Sequence, residues 1–266
     1  MSLKIVVLAK QVPDTRNVGK DAMKADGTIN RAALPAIFNP EDLNALEQAL
    51  RLKDAHPGST VTILTMGPGR AADIIREGLF RGADNGYLLT DRAFAGADTL
   101  ATSYALATAI RKIGDCDIII GGRQAIDGDT AQVGPQIAEH LDLPQVTYVE
   151  SLTFDGNKTF TVKKSMEDGY QMVQVDTPCV FTALASGVKP RYMSVRGIVE
   201  AYNHPIETWT YNDITVDDQK IGLNGSPTRV FKSFTKGVKA AGQIYEVDPA
   251  EAVDIIISKL KEKFII

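Results

Sequence analysis

A loop of 14 residues, Gly122–Pro135, carries the densest set of chemically capable side chains in the sequence (GRQAIDGDTAQVGP). It follows an apolar run and leads into a predicted helix, whose first backbone N–H groups and dipole favour a phosphate. Thr130 and Gln132 add polar groups, while Asp127 and Asp129 can accept hydrogen bonds from a ribose or an adenine. The alternative is that Asp129 and Thr130 merely cap that helix. A helix cap needs one such residue, however, and this loop contains a whole set of them. We therefore interpret the segment as a nucleotide-binding loop.

Two further loops are expected at the same edge of the sheet. The first, Ala9–Asp14 (AKQVPD), follows the first apolar run, and Ala9 is small enough to let an adenine lie against the backbone. An ordinary turn is the alternative, since turns favour Pro and Asp. The second, Thr65–Ala72 (TMGPGRAA), fits the G-x-G-x-x-A pattern of dinucleotide-binding loops. That pattern is weak by itself, because it follows the second strand and because Gly and Pro also occur where a chain simply turns.

The residues of common catalytic sites are scattered along the chain. His56, His140 and His204 belong to no spaced metal-binding set, and the G-x-S-x-G motif does not occur. Two cysteines, Cys116 and Cys179, are too few for a disulfide scaffold or a Cys-based metal site, and we interpret them as small core residues. A nucleotide-binding edge without an evident acid, base or nucleophile indicates a protein that holds a cofactor.

Apolar strands and helices alternate in the first half of the chain and must position these loops. This alternation predicts a mostly parallel sheet with helices on both faces. Asn39, Pro40 and Glu41 mark the start of the first helix, with Asn39 as its N-cap. After Pro144, short runs rich in Val, Thr and Phe predict antiparallel strands added to the sheet, with a hairpin turn at residues 155–157. The predicted strands are residues 3–9, 61–65, 87–89, 117–121, 146–154, 159–164, 171–175 and 179–184, and the predicted helices are residues 40–53, 71–81, 99–113, 130–141, 193–201 and 250–264.

The last quarter of the chain differs from the rest. Residues 204–237 are predicted to be extended and loop-like, and residues 250–264 form an amphipathic helix. A long, weakly periodic segment that ends in such a helix is typical of an arm that packs on another molecule. A helix packed on its own domain is the alternative. We expect an α/β domain over residues 1–203 and a C-terminal arm over residues 204–266.

Composition excludes several classes of protein. The 266 residues are 44% hydrophobic and 23% charged, as in an ordinary folded domain. A net charge of −4 gives no reason to expect nucleic-acid binding. No apolar run approaches the roughly 18 residues of a membrane-spanning helix, and the N-terminal run is too short for a signal peptide. We expect a cytoplasmic protein.

Five segments resemble, in order and spacing, those of the β subunit of an electron-transfer flavoprotein, over essentially the whole chain. They are AKQVPD at 9–14, NPED at 39–42, TMGP at 65–68, the 14-residue loop and PRY at 190–192. The resemblance implies a Rossmann-like α/β fold and a larger α subunit as partner, which carries the redox-active FAD. It also implies an adenine nucleotide along these loops. The residues implied to bind it are Ala9, Lys10, Asn39, Asp42, Met66, Gly67, Gly122, Arg123, Gln124, Ala125, Asp127, Gly128, Thr130, Ala131, Gln132, Val133 and Gly134.

Two cofactors are compatible with this resemblance. Some family members bind a structural AMP. Electron-bifurcating members bind a second FAD, which takes a hydride from NADH; one electron goes to ferredoxin or flavodoxin, and the other goes through the α-subunit FAD to an acyl-CoA dehydrogenase or a similar enzyme. The loop resembles the bifurcating members, because Gly128 stands where AMP-binding members more often carry an acid. A glycine leaves room for a pyrophosphate, so we favour FAD over AMP.

The resemblance further implies that residues 183–201 are the segment by which the family recognises its partner enzymes, with Tyr192 and Val195 as recognition residues and Val195 near its apolar tip. Core packing of Val195 is the alternative, because valine is commonly buried. Two other functions stay open: a stand-alone NAD-dependent dehydrogenase that uses Gly67 and Gly69, and a regulatory module that binds an adenine nucleotide. The lack of an assigned proton-transfer residue argues against the dehydrogenase.

Overall fold

The computed structural model describes residues 1–14, 35–229, 231 and 242–266. Within these ranges the strands are β1 (Lys4–Leu8), β2 (Gln11–Pro13), β3 (Ala36–Phe38), β4 (Thr60–Met66), β5 (Asn85–Leu89), β6 (Ile118–Gly122), β7 (Gln145–Phe154), β8 (Thr159–Met166), β9 (Gly169–Asp176), β10 (Cys179–Ala183) and β11 (Glu207–Trp209). The α-helices are α1 (Pro40–Ala55), α2 (Ala72–Arg81), α3 (Thr99–Ile113), α4 (Val133–Leu141), α5 (Val195–Ala201) and α6 (Pro249–Glu262).

A nine-stranded sheet in the order β11-β5-β4-β1-β6-β10-β7-β8-β9 organises the chain. Every pairing from β11 to β7 is parallel, while β8 and β9 are antiparallel additions at one edge. Strands β2 and β3 form a separate antiparallel pair. The prediction of a Rossmann-like, mostly parallel sheet between helices is confirmed.

Each face of the sheet has its own hydrophobic core, and the alternation of side chains along the strands explains why. In β1, Ile5 and Val7 join the core that contains Leu46 of α1, whereas Val6 joins the core that contains Ile137 of α4. Successive residues of a strand point to opposite faces. A strand buried on both faces must therefore be apolar throughout, as the first run is.

Strand β10 corrects one prediction. Residues 146–154 and 179–184 were both expected to be antiparallel additions, but β10 runs parallel to β6 and to β7. Strand β7 pairs antiparallel with β8 alone, at its other edge. All five residues of β10 are buried, which is typical of a central parallel strand. The expected hairpin turn is confirmed between β7 and β8, where the carboxylate of Asp155 accepts the amides of Asn157, Lys158 and Thr159.

The segment after residue 204 is mostly irregular, as predicted, but it returns to the sheet before it ends. Strand β11 pairs with β5, and Trp209 is buried in the core on the α3–α4 face. Residues 230 and 232–237 of the predicted extended stretch lie outside the described residues, as do residues 238–241. Helix α6 forms where expected, and none of its residues is buried. That residues 204–266 act as an arm stays a prediction. No helix in the described ranges is long and apolar enough to cross a membrane.

The contact between β5 and α2 can be tested at Gly86. A Cβ atom added there would lie 2.0 Å from Cγ2 of Ile75, a fully buried residue. That methyl group sits on the branched Cβ of the isoleucine and cannot withdraw as a flexible chain end would. We expect Gly86→Ala to lower the free energy of unfolding by about 1–3 kcal/mol in urea titrations. Gly69→Ala, whose Cβ would meet nothing within 4 Å, is the control; equal stability of the two variants would contradict the prediction.

Candidate functional site

The crevice between the carboxyl ends of β1 and β6 is the point where the strand order reverses. From β1 the chain proceeds to β4 and β5 on one side, and then crosses to β6 on the other. Ligands of open α/β sheets bind at such a point. The loops after β1 and β6 and the start of α1 all meet here, so the structure brings together the segments that the sequence singled out.

The first turn of α1 fastens the loops that leave β1 and β6. One carboxylate oxygen of Asp42 accepts the amide of Lys10 at 2.8 Å, and the other accepts the amide of Gly122 at 2.9 Å. Glu41 accepts the amide of Gln124 at 2.8 Å and contacts the guanidinium of Arg123 at 3.1 Å. Each of these two acids therefore anchors backbone that belongs to the predicted nucleotide site.

Asn39 precedes α1 as predicted, but its side chain does not cap the helix. Its amide nitrogen donates to the carbonyl of Gln124 at 2.8 Å, and its oxygen accepts the amide of Ile126 at 3.2 Å. The prediction of a capping side chain is wrong because the oxygen of the Asn39 side chain, which would cap the helix, accepts the amide of Ile126 in the loop after β6 instead. Asn39 holds that loop instead.

Side chains within the 14-residue loop also bind one another and their neighbours. Lys10 pairs with Asp127 at 2.6 Å, and Gln124 donates to Asp129 at 2.8 Å. The side-chain oxygen of Gln132 accepts the hydroxyl of Thr99 at 2.8 Å. Both loop carboxylates thus have partners within the chain, and their predicted contacts with a ribose or an adenine stay predictions.

Helix α4 begins at Val133, three residues later than predicted. Asp129 and Ala131 adopt left-handed backbone angles, with φ of 49° and 52°, so the helix cannot extend back through them. Neither Asp129 nor Thr130 caps the helix. Gln132 occupies the N-cap position and makes no side-chain capping bond.

The amides at the start of α4 are available to a ligand. Across the described ranges of the chain, no protein acceptor lies against the amides of residues 130–134. A left-handed residue followed by a right-handed one, as at Ala131 and Gln132, turns consecutive N–H groups into one concavity. Such a concavity at a helix N-terminus binds anions.

The loop after β4 lies beside the loop after β1. The side chain of Gln11 donates to the carbonyl of Arg70 at 3.1 Å, which joins the two loops. Met66 ends β4 and packs against the core on the α3–α4 face, and the amide of Gly67 donates to Leu89. Ala9 is buried directly after β1. All three predicted loops therefore share one edge of the sheet.

Burial raises the pKa of Asp42 to about 7. Hydrogen bonds from Gly122, Asn39 and Lys10, and the charge of Lys10, act to lower that pKa but do not outweigh the effect of burial. The carboxyl that joins the two loops therefore titrates near neutral pH. Its protonation would weaken the acceptor that both amides share.

The predicted recognition segment is exposed at its tip. Tyr192 is 84% exposed and Val195 is 80% exposed, so core packing of Val195 is excluded. Helix α5 starts at Val195, two residues after the predicted start, and Ser194 caps it. Val199 and Tyr202 are also exposed. These side chains form an apolar surface, and its role in partner recognition stays a prediction.

The sequence patterns assigned no role in the site to three polar residues of α1 or to one tyrosine. Glu41, Asn44 and Glu47 are buried and recur every three residues, a spacing that could have indicated one polar face of the helix. Tyr148 has φ of 58° inside β7, and the guanidinium of Arg123 lies 5.6 Å from its ring centre. No sequence signal marks that tyrosine.

The ionisation of Asp42 gives a prediction about stability. Its pKa of about 7 in the folded chain lies above the usual 3.8, so the folded state holds this proton more tightly than the unfolded state does. Its contribution to stability is present below about pH 4 and is lost as the pH rises through 7, by at most about 1.4 kcal/mol per pH unit. Relative to Asp42→Asn, the unchanged chain should lose stability between pH 4 and 7 in urea titrations. The prediction would be contradicted if the free energy of unfolding of the unchanged chain, minus that of Asp42→Asn, stayed constant or grew between pH 4 and 7.

Comparison with known proteins identifies the family. The model of the electron transfer flavoprotein domain matches residues 26–214. The chain is 52% identical to the electron transfer flavoprotein subunit beta of Clostridium acetobutylicum, over 98% of this chain and 99% of the relative. It is 49% identical to the caffeyl-CoA reductase-Etf complex subunit CarD of Acetobacterium woodii, over 99% of this chain and all of the relative. It is 48% identical to the acryloyl-CoA reductase electron transfer subunit gamma of Anaerotignum propionicum, with the same coverage. This chain therefore belongs to the electron transfer flavoprotein family and stands among its β subunits.

Proposed function

We propose that this chain works as part of a heterodimer with an α subunit and that the crevice between β1 and β6 binds FAD. NADH is the proposed hydride donor. One electron leaves to ferredoxin or flavodoxin, and the other passes through the α-subunit FAD to an acyl-CoA dehydrogenase-type enzyme. The observation that carries the proposal is the concavity of amides at residues 130–134, at the start of α4, for which the described residues provide no hydrogen-bond acceptor.

The residues around the crevice fit a dinucleotide. The amides of residues 130–134 suit its diphosphate, and Lys10 supplies a cation on the neighbouring loop. A Cβ added at Gly128 would meet nothing within 4 Å, so the loop leaves open space there. Ala9 is buried directly after β1, so its side chain does not fill the crevice. Of these features, the open space at Gly128 is the one that favours a ligand longer than a mononucleotide.

The chain contributes binding and placement to the proposed reaction. When bound, FAD supplies the capacity to accept two electrons together and to release them singly. The amides at the start of α4 would hold its phosphates, and Lys10, which pairs with Asp127, would add a cation close to the loop. Asp42 and Glu41 keep the two loops in register on either side of the switch point.

The proposed partners follow from the relatives and from the surface. Two relatives are named as subunits of caffeyl-CoA reductase and acryloyl-CoA reductase complexes. Those names support a partner for this chain that acts on CoA thioesters. The apolar surface at Tyr192 and Val195 is the proposed recognition site for that enzyme. We propose the cytoplasm, where NADH is available, as the location.

The flavin content of the heterodimer tests the proposal directly. We expect two FAD molecules in each purified αβ heterodimer, measured by absorbance and by chromatography of the released nucleotides, and we expect NADH alone to reduce bound flavin. One FAD and one AMP, with no reaction with NADH, would replace the proposal with a non-bifurcating carrier. Activity of this chain alone on a small substrate would favour a dehydrogenase. A colourless heterodimer would favour a regulatory module.

Gly128→Asp tests the location of the site. The open space at Gly128 accepts a side chain without disturbing the fold, but a carboxylate would repel a nearby diphosphate. We expect the affinity for the β-subunit nucleotide to fall by about tenfold, measured by retention of FAD during dialysis. Gly128→Ala adds a Cβ without a charge and is the matched control. Equal retention by both variants would place the phosphates elsewhere.

A further inference from the structure

Helix α1 carries buried polar residues beyond its first turn. Asn44 is 1% exposed and Glu47 is 4% exposed. Burying such groups is costly unless each finds hydrogen-bond partners. Their partners therefore indicate what this face of the helix holds in place.

Asn44 holds the segment that follows β10. Its side-chain oxygen accepts the amide of Val188 at 3.3 Å, and its nitrogen donates to the carbonyl of Ala185 at 3.1 Å and to that of Val188. Between these residues, a Cβ at Gly187 would lie 2.5 Å from the carbonyl oxygen of Glu150 in β7. The segment is therefore enclosed between α1 and β7.

Glu47 holds the end of the same segment. Its carboxylate accepts the backbone amide of Arg191 at 3.0 Å and the guanidinium Nε of Arg191 at 2.9 Å, and it also accepts from Arg51 at 2.9 Å. Burial acts to raise the pKa of Glu47, but the hydrogen bonds from Arg191 and Arg51 outweigh it and hold that pKa below its usual range. Asp54 adds an exposed contact to Arg191 at 2.8 Å.

The exposed apolar tip starts directly after this anchor. Tyr192 follows Arg191, and Val195 opens α5 three residues later. One to two turns earlier, in the first turn of α1, Glu41 and Asp42 hold the nucleotide loops. One helix of 16 residues, about 24 Å long, therefore contacts both regions.

We propose that Asn44 and Glu47 are positioning residues for the docking of the partner enzyme. They fix residues 185–191 on α1, and they thereby set the place of the exposed tip relative to the nucleotide loop held by the same helix. The inference rests on the proposed function, since it takes residues 183–201 as the recognition segment. The partner that fits is a protein with an apolar pocket for Tyr192 and Val195.

Glu47→Gln in the holo-αβ heterodimer tests the proposal. The variant keeps the size of the side chain but loses the charge that receives Arg191. With an acyl-CoA dehydrogenase of the same organism as acceptor, we expect KM for that enzyme to rise about tenfold, as the loss of a charge-assisted hydrogen bond would give, with kcat little changed. FAD content, reduction by NADH and transfer to a tetrazolium dye, which needs no docking, should stay within about twofold. Trypsin should cleave faster after Lys189 and Arg191.

Asp54→Asn is the matched control, because it removes only the exposed contact to the same arginine, and such surface pairs contribute little. An unchanged KM in Glu47→Gln would overturn the inference. An equal loss of dye reduction and dehydrogenase reduction would also overturn it, in favour of a general effect on the fold. Should Glu47→Gln fail to fold, Arg191→Lys tests the same link, since lysine keeps the charge but loses the forked contact. A heterodimer with the unchanged chain that lacks FAD or reduces no dehydrogenase would refute the proposed function itself, and the inference with it.

Discussion

The buried carboxylate of Asp42 is the contact on which the candidate site depends. It accepts one amide from the loop after β1 and one from the end of β6. Those strands are hydrogen-bonded neighbours whose loops lead to different elements, and the ion pair between Lys10 and Asp127 is a second link between the loops. An acid in the first turn of a helix is favoured by the helix dipole. The helix start therefore joins the two loops from the face opposite α4.

This arrangement divides the loop after β6 into two parts. Its first part, through Ile126, is held by Glu41 and Asn39, which accept the amides of Gln124 and Ile126. The amides of its last part, residues 130–134, donate no hydrogen bond to any residue that the structure describes, and they lie at the start of α4. Asn39 and Glu41 thus fix the first part of the loop, and this fixed part supports residues 130–134, whose amides are the proposed ligand contacts.

Sequence patterns predicted the sheet because burial on both faces demands apolar runs, as in β1 and β6. The directions of β7 and β10 were predicted wrongly, because runs rich in Val, Thr and Phe were assigned to antiparallel strands, whereas a run buried throughout, as in β10, is typical of a parallel strand. The loops of the site were predicted from residue type and spacing, and the structure brings them together. The start of α4 was placed too early because the left-handed angles of Asp129 and Ala131 are not evident from their residue types. The contacts of Asn39 and Glu41 are long-range, and a local pattern indicates only the helix start.

The polar face of α1 has a physical rationale that stability alone does not supply. Replacing a buried ion pair by apolar residues is often neutral or stabilising, whereas removing one partner is costly. Glu47 with Arg191, and Asn44 with the backbone of residues 185–188, are therefore weak contributors to net stability but strong constraints on position. An apolar face would tolerate sliding of the segment along the helix, while these hydrogen bonds permit one register. Because Tyr192 directly follows Arg191, the polar face of α1 determines the position of the exposed apolar surface.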